Sequence, residues 1–142
     1  MAGSATNQTA QERIQTQSRG KVLLVDDELQ DLQCYDAFLC ARGYDVLTCA
    51  SYAEGAHYLQ HEVFDFVVVS QGSRFFEGRP VLRLVIEIDR YIPVLVLARC
   101  LDMNCYLEAM QLGAVDYIEK PVPPEQLLWV IETHLRRSSK AT

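Results

Sequence analysis

The sequence has few basic residues, and they do not cluster. Lys and Arg together number 13 against 19 Asp and Glu, which gives a formal net charge of −6 at pH 7. Proteins that bind nucleic acid directly usually carry a basic patch or stripe that faces the phosphate backbone. We therefore expect no direct contact with DNA or RNA.

Long apolar runs and a secretory leader are also missing. No apolar run approaches the length of about 20 residues that crosses a bilayer. The stretch from Met1 to Gly20 has no hydrophobic segment behind a basic start. These absences favour a cytoplasmic protein that does not bind membranes.

The sequence also lacks paired cysteines. Its five cysteines are an odd number, and no two of them are spaced as CxxC. A disulfide framework and a zinc site are therefore disfavoured, and we expect most of these cysteines to be small buried hydrophobes. Cys100 and Cys105 are kept as a redox-sensitive alternative because we expect them near a loop.

The composition that is present suits one domain. Apolar residues make up 49% of the 142 residues, which is enough for a single core. Residues 1–19 are rich in Gln, Ser and Thr and predict a mobile arm. We expect the domain to span residues 20–137, followed by a tail or linker at residues 138–142.

Short apolar runs alternate with amphipathic stretches inside this predicted domain. Runs that are apolar on both faces predict strands covered by helices on two sides. Apolar residues spaced by three or four predict helices. The predicted strands are Val22–Val25, Tyr44–Cys49, Phe66–Val69, Pro93–Ala98 and Val115–Ile118. The predicted helices begin near Leu29, Tyr52, Val81, Met103 and Pro123 or Pro124.

This alternation predicts an α/β fold with a doubly wound parallel sheet, because right-handed crossovers place helices on both faces. Sites in such sheets form beyond the carboxyl ends of the strands. The residues that end or follow the predicted strands are Asp26, Asp27, Ser70, Ala98, Arg99 and Lys120.

Two interpretations of these rim residues are open. Asp26, Asp27 and Lys120 would make a small charged pocket able to hold a hard cation such as Mg²⁺. The alternative is a solvated loop with an ordinary surface salt bridge.

Three segments of the sequence resemble the response regulator receiver domain. They are residues 22–28 (VLLVDDE), 64–69 (FDFVVV) and 113–121 (GAVDYIEKP), and the resemblance covers essentially all of residues 21–137. It implies a flavodoxin-like (βα)5 fold with strand order 2-1-3-4-5 and a role in two-component signal transduction.

The resemblance also implies roles for single residues. Asp26 and Asp27 would be the acidic pair that binds Mg²⁺, and Lys120 would contact the phosphoryl group. Tyr117 would be the switch aromatic of the family. The bond from Lys120 to Pro121 would be cis.

The sequence departs from the family at the reacting positions. Ser70 stands where the phosphoryl-accepting aspartate should close the third strand, and Ala98 stands where a Ser or Thr should bond the phosphoryl group. Arg99 replaces a residue that is usually small. With Ser70 the metal site keeps two carboxylates and a backbone carbonyl near Gly72, so at most weak Mg²⁺ binding is expected and no other cofactor. We expect Lys120 to be shared between Asp26 and Asp27.

These departures predict a binding module instead of an enzyme. Serine offers no ionised carboxylate for phosphoryl transfer, so we expect a phosphorylation-independent protein-interaction domain. The alternative is a phosphorelay receiver that accepts phosphate at Ser70 or Asp27. A third hypothesis, sensing of an anion or an oxidant, would use Arg74, Arg99 and Lys120 or Cys100.

The expected partners are proteins: a kinase, an output domain or a second copy of the chain. In the receiver family the fourth helix, the fifth strand and the fifth helix commonly form the pairing surface. The interface candidates on these elements are Tyr106, Tyr117 and Trp129.

Overall fold

The computed structural model describes residues 18–141, with side chains to residue 135. The strands are β1 (Lys21–Val25), β2 (Asp45–Cys49), β3 (Phe66–Ser70), β4 (Val94–Ala98) and β5 (Asp116–Glu119). The helices are α1 (Leu29–Ala41), α2 (Tyr52–His61), α3 (Arg79–Ile88), α4 (Met103–Leu112) and α5 (Pro124–Ala141).

The five strands form one parallel sheet in the order β2-β1-β3-β4-β5. This confirms the predicted flavodoxin-like fold. Every residue of β3 and β4 is buried, because both strands lie inside the sheet and helices cover their two faces.

Alternate residues of each strand belong to two separate cores. On one face, β-strand residues such as Val67 and Val69 pack with residues of α2, α3 and α4. On the other face, Phe66 and Val68 pack with residues of α1 and α5. The sheet is therefore the middle of three layers, and the loops that follow its strands gather at one edge.

Local signals in the sequence set the ends of several helices. The hydroxyl oxygen of Ser51 accepts a hydrogen bond from the Glu54 amide at 3.2 Å and caps α2. Gly113 ends α4 with a φ of 115°, in the left-handed region that favours glycine. These caps fix where α2 and α4 begin or end relative to the sheet.

Some predicted boundaries were wrong by one or two residues. Pro93 lies before β4, and because proline has no amide hydrogen only its carbonyl joins the ladder, accepting from Val67 at 3.0 Å. Helix α3 begins at Arg79 instead of Val81, because a proline is tolerated in the first turn.

The predicted arm and tail lie partly outside the described residues. Residues 1–17 of the arm are outside them, and Arg19 is attached to the domain: its guanidinium donates to Glu132 at 2.7 Å and lies over the ring of Tyr44. At the other end, α5 extends through residues 138–141, so the predicted tail is helical there. Over residues 18–141, none of the helices has the length and apolar character of a membrane span.

Candidate functional site at the carboxyl edge of the sheet

The predicted rim residues lie together at the carboxyl edge of the sheet. Asp26 and Asp27 follow β1, Ser70 ends β3 and Ala98 ends β4. Lys120 directly follows β5, and its amide donates to the Ala98 carbonyl at 2.7 Å. Because all strands are parallel, these ends face the same side of the domain.

Lys120 is the buried centre of a cluster of carboxylates. Its ammonium lies 2.6 Å from Asp26, 3.1 Å from Glu28 and 2.7 Å from Asp31, and its side chain is only 7% exposed. Burial by itself would lower the pKa of Lys120, but the hydrogen bonds that its ammonium donates to Asp26 and Asp31 outweigh burial and raise that pKa. Lys120 is therefore a fixed cation.

Asp26 is the buried carboxylate of this cluster. Burial raises its pKa, and the hydrogen bond from Lys120 opposes that effect. Its second oxygen accepts from the Glu28 amide at 3.0 Å. Both oxygens of Asp26 are thus already bonded within the protein.

The expectation that Lys120 is shared between Asp26 and Asp27 was wrong. Lys120 turns instead toward the first turn of α1, where Asp31 is its third partner. Asp27 pairs with Arg99, whose guanidinium lies 3.4 Å from it and 3.5 Å from Glu28. Glu28 and Asp31 were not predicted from the sequence, although their spacing of three residues places them on one helix face.

Ser70 ends β3 as a buried alcohol. It is 1% exposed, and its hydroxyl oxygen accepts a hydrogen bond from the Gly72 amide at 3.3 Å. The buried hydroxyl of Tyr52 is nearby, since a Cβ added to Gly72 would lie 3.0 Å from it. Burial raises the pKa of Tyr52, so this neighbour stays protonated and cannot serve as a base.

Two glycines allow the loop after β3 to lie against the strand end. Gly72 has a φ of 82°, which disfavours any residue with a side chain. A Cβ at Gly78 would lie 2.2 Å from the Ser70 carbonyl oxygen, so only glycine fits there. The loop is also held by Glu77, which accepts from the amide of Ser73 at 2.6 Å.

Gln71, which sequence reasoning missed, is buried beside Ser70 and bonds to Tyr117. The Tyr117 hydroxyl donates to the Gln71 side-chain oxygen and accepts from the Asp102 amide at 3.2 Å. Gln71 is 1% exposed and Tyr117 is 7% exposed. Gln71 directly follows β3 and continues the alternation of Val67 and Val69, which was the sequence signal for this contact. Tyr117 therefore points inward and is held by two neutral partners.

Ala98 lies at the end of β4 and is fully buried. Its methyl group offers no hydrogen bond, so this strand end supplies a backbone carbonyl and no side-chain donor. The peptide bond between Lys120 and Pro121 is cis, as expected.

The acidic residues of the rim were tested as a Mg²⁺ site. Among the described residues, Asp26, Asp27 and Glu28 each offer an oxygen, and these oxygens lie within 4.8 Å of one another. However, Lys120 bonds Asp26 and Glu28, and Arg99 approaches Asp27 and Glu28. Ser70 adds an uncharged oxygen where a third strand carboxylate is needed. Each carboxylate of the donor set is thus already paired with a cation of the chain, and the set does not fit a Mg²⁺ site.

The three cations of the anion-sensing hypothesis do not lie together at one site. Arg74 and Arg99 line a cavity of about 420 Å³ beside Gln71 and Asp102, whereas Lys120 lies with the carboxylates.

The oxidant-sensing hypothesis concerns two cysteines. Cys100 is exposed but Cys105 is buried, and burial raises the pKa of Cys105 to about 11. A readily oxidised pair is therefore not formed.

The three interface candidates differ in how exposed they are. Trp129 on α5 is 65% exposed. Tyr106 is half-buried and packs edge-to-face on the Tyr117 ring at a centroid distance of 5.5 Å. The prediction of Tyr117 as an interface residue was wrong, because its ring and its hydroxyl both point into the protein.

Comparisons with known proteins agree with this geometry. Residues 22–132 match the family model described as the response regulator receiver domain. The chain is 32% identical over 112 residues to the alginate biosynthesis transcriptional regulatory protein AlgB of Pseudomonas aeruginosa, and this covers 79% of the chain and 25% of AlgB. It is 30% identical over 128 residues to the probable transcriptional regulator ycf27 of Guillardia theta, covering 90% of the chain and 50% of that protein.

Solved structures give the same result for the fold. A CheY-like receiver domain protein from Methanospirillum hungatei JF-1 superposes with a TM-score of 0.81 at 24% identity, covering 86% of this chain and 98% of that one. A receiver domain protein from Clostridium thermocellum superposes with a TM-score of 0.78 at 28% identity, with coverage of 86% and 98%.

These matches define a signalling class of α/β domain. The chain belongs to the response regulator receiver domain family of two-component signalling. It spans a quarter to a half of the length of the curated relatives named above.

Proposed function

We propose that this receiver domain works as a phosphorylation-independent interaction module. The observation that carries the proposal is Ser70, a buried alcohol at the end of β3 whose oxygen accepts from the Gly72 amide. In the family that the chain belongs to, this position holds the aspartate that accepts phosphate.

Phosphoryl transfer to a receiver needs an ionised acceptor held in line with the donor. A serine hydroxyl stays protonated at neutral pH unless a base takes its proton. The nearby groups are poor bases, because the pKa of Tyr52 is raised by burial and Asp26 is bonded to Lys120. Ser70 is therefore a poor nucleophile in this setting.

The position of Tyr117 supports the same proposal. Its hydroxyl is held by Gln71 and by the Asp102 amide, both of which are neutral groups of the chain itself. Ala98 provides no hydroxyl that could move toward a phosphoryl group and alter the packing of this ring. The inward arrangement of Tyr117 thus needs no phosphate.

A docking surface is proposed on α4 and α5. Leu107 and Met110 on α4 and Trp129 on α5 are exposed apolar side chains, of the kind that interfaces cover. A solved neighbour that is 23% identical is described as the beryllofluoride-activated NtrC4 receiver domain dimer. For this chain we propose a second copy of the chain as the partner on that face.

The decisive experiment is treatment with acetyl phosphate and Mg²⁺, followed by intact-protein mass measurement. A conventional receiver treated in parallel is the positive control for the donor. We expect no added mass of a phosphoryl group on this chain. A stoichiometric phosphoprotein would contradict the proposal.

Variants locate the phosphate if it is found. Loss of the added mass in Ser70→Ala, but not in Asp27→Asn, would identify Ser70 as the acceptor. The reverse result would identify Asp27, whose half-exposed carboxylate pairs with Arg99. Either result would replace the proposal by the phosphorelay alternative.

The docking surface has its own test. Analytical ultracentrifugation of the chain and of Trp129→Ala measures self-association, with Leu29→Ala as a matched control because Leu29 is an exposed apolar residue on α1. We expect Trp129→Ala to weaken association of copies and Leu29→Ala to leave it unchanged. Equal binding by the two variants would argue against this face.

A further inference from the structure

The rim places three carboxylates close together. One oxygen from each of Asp26, Asp27 and Glu28 lies within 4.8 Å of the others. Like charges at such distances repel one another strongly, because water screens them only in part at the edge of the protein. The arrangement therefore needs positive charge nearby.

Lys120 provides that charge on one side only. Its ammonium contacts Asp26, Glu28 and Asp31, which turns it toward α1. Asp27 is not among its partners. A second cation is therefore needed on the side of Asp27.

Arg99 reaches this side from the end of β4. Its terminal nitrogen lies 3.4 Å from Asp27, and its Nε lies 3.5 Å from Glu28. One guanidinium thus approaches two of the three carboxylates. It also lies close enough to Glu77 to lower the pKa of that residue, after the larger effect of the hydrogen bonds from Ser73.

We propose that Arg99 is a built-in substitute for the divalent cation at this rim. A guanidinium remains charged at all ordinary pH values and offers several N–H donors in a fixed plane, so it can bond two carboxylates at once. With Lys120 on the other side, each of the three carboxylates, Asp26, Asp27 and Glu28, has a cation of the chain beside it. The domain then has no requirement for Mg²⁺.

This inference concerns the same rim as the proposed function, but it depends on charge and geometry and not on the chemistry of Ser70. The Arg99 side chain is 47% exposed and that of Asp27 is 43% exposed. Arg99 can therefore be replaced without opening the core. A hydrated Mg²⁺ ion could then reach Asp27 and Glu28 from solvent.

Isothermal titration with MgCl₂ tests the proposal on the full chain. We expect Arg99→Ala to bind Mg²⁺ at least about tenfold more tightly than the unmodified chain, since a repelling charge next to the site is removed. Arg99→Lys, which keeps the charge, should stay near the unmodified value. Circular dichroism of each variant shows that it is folded.

Arg74→Ala is the matched control. Arg74 is an exposed arginine on a neighbouring loop that lies over Phe75 and has no contact with the three carboxylates. Arg74→Ala changes the net charge by the same amount as Arg99→Ala, so we expect the Mg²⁺ affinity of Arg74→Ala to stay within about twofold of the unmodified chain. The double variant Arg99→Ala with Asp27→Asn should lose the gained affinity.

Two results would overturn the proposal. One is a folded Arg99→Ala that binds Mg²⁺ no more tightly than the unmodified chain. The other is an equal gain in Arg74→Ala, which would reduce the effect to general charge. Failure of the proposed function is seen separately, as a phosphoprotein in the mass experiment.

Discussion

The carboxyl edge of the sheet has a charged half and a neutral half. The charged half lies at the ends of β1 and β5 and comprises Asp26, Glu28, Asp31 and Lys120. The neutral half lies at the ends of β3 and β4 and comprises Ser70, Gln71 and Ala98, with the inward hydroxyl of Tyr117.

The two halves differ in what they retain of the family pattern. The charged half keeps the residues that the family uses beside the phosphoryl group, and they are bonded to one another. The neutral half has Ser70 and Ala98 at the two positions where the family resemblance led us to expect an aspartate and a Ser or Thr, and Gln71 binds Tyr117 there. The charged half is thus held together by ion pairs to Lys120, whereas the neutral half is held by uncharged hydrogen bonds.

The largest expected effect is in the charged half. Lys120→Met should lower the free energy of unfolding by about 3–5 kcal/mol, because it leaves the buried carboxylate of Asp26 without its cation. Urea denaturation measures the loss. Lys21→Met is the control: Lys21 also pairs with a carboxylate, Glu62, but is 31% exposed, so it should cost no more than about 1 kcal/mol. Equal costs for the two would remove the distinction between them.

The neutral half should respond less strongly. Gln71→Leu and Tyr117→Phe should each cost about 1–3 kcal/mol, because each leaves a buried polar group without its partner. The double variant should cost less than the sum, since both partners are then gone. Gln60→Leu, at an exposed glutamine on α2, should change stability by no more than about 0.5 kcal/mol. Strict additivity would mean that Gln71 and Tyr117 do not depend on each other.

The charged half should also be sensitive to alkali. The hydrogen bonds that Lys120 donates to Asp26 and Asp31 raise its pKa above the ordinary value of 10.5. Its contribution to stability is therefore complete below pH 10.5, and is lost as the pH rises toward the pKa in the folded protein. In that pH range, the difference in the free energy of unfolding between the unmodified chain and Lys120→Met should shrink by about 1.4 kcal/mol per pH unit. Urea denaturation of both proteins at increasing pH checks this, and a constant difference would contradict it.

The smallest effect on stability is expected at Arg99. Its ion pairs with Asp27 and Glu28 are half-exposed, so Arg99→Ala should change the free energy of unfolding by no more than about 1 kcal/mol. Added salt should reduce even that difference. Thermal unfolding at low and high salt is the measurement. A loss as large as that of Lys120→Met would show that Arg99 belongs to the buried cluster.

The fold and the positions of the rim residues could be predicted because they depend on strand patterns and strand ends. Runs such as Phe66–Val69 are apolar on both faces, which requires a covered strand in a parallel sheet. Once that sheet is assumed, Asp26, Ser70 and Lys120 must lie at one edge, whatever their side chains do.

The partners of these side chains could not be predicted in the same way. Lys120 has a long flexible side chain, and which carboxylates it bonds depends on the direction of α1, which brings Asp31 to it. Gln71 was missed because a polar residue after a strand usually begins a solvated loop, whereas here the loop is held down and the side chain is 1% exposed. Both details depend on packing between distant segments.

The cluster around Lys120 has a consequence for how the chain is made. Lys120 is separated from Asp26 by 94 residues and from Asp31 by 89 residues along the sequence, and β1 lies inside the sheet between β2 and β3. During synthesis the acidic residues leave the ribosome long before their cation does. Until Lys120 emerges, these carboxylates lack that partner, and contacts of such sequence separation slow folding.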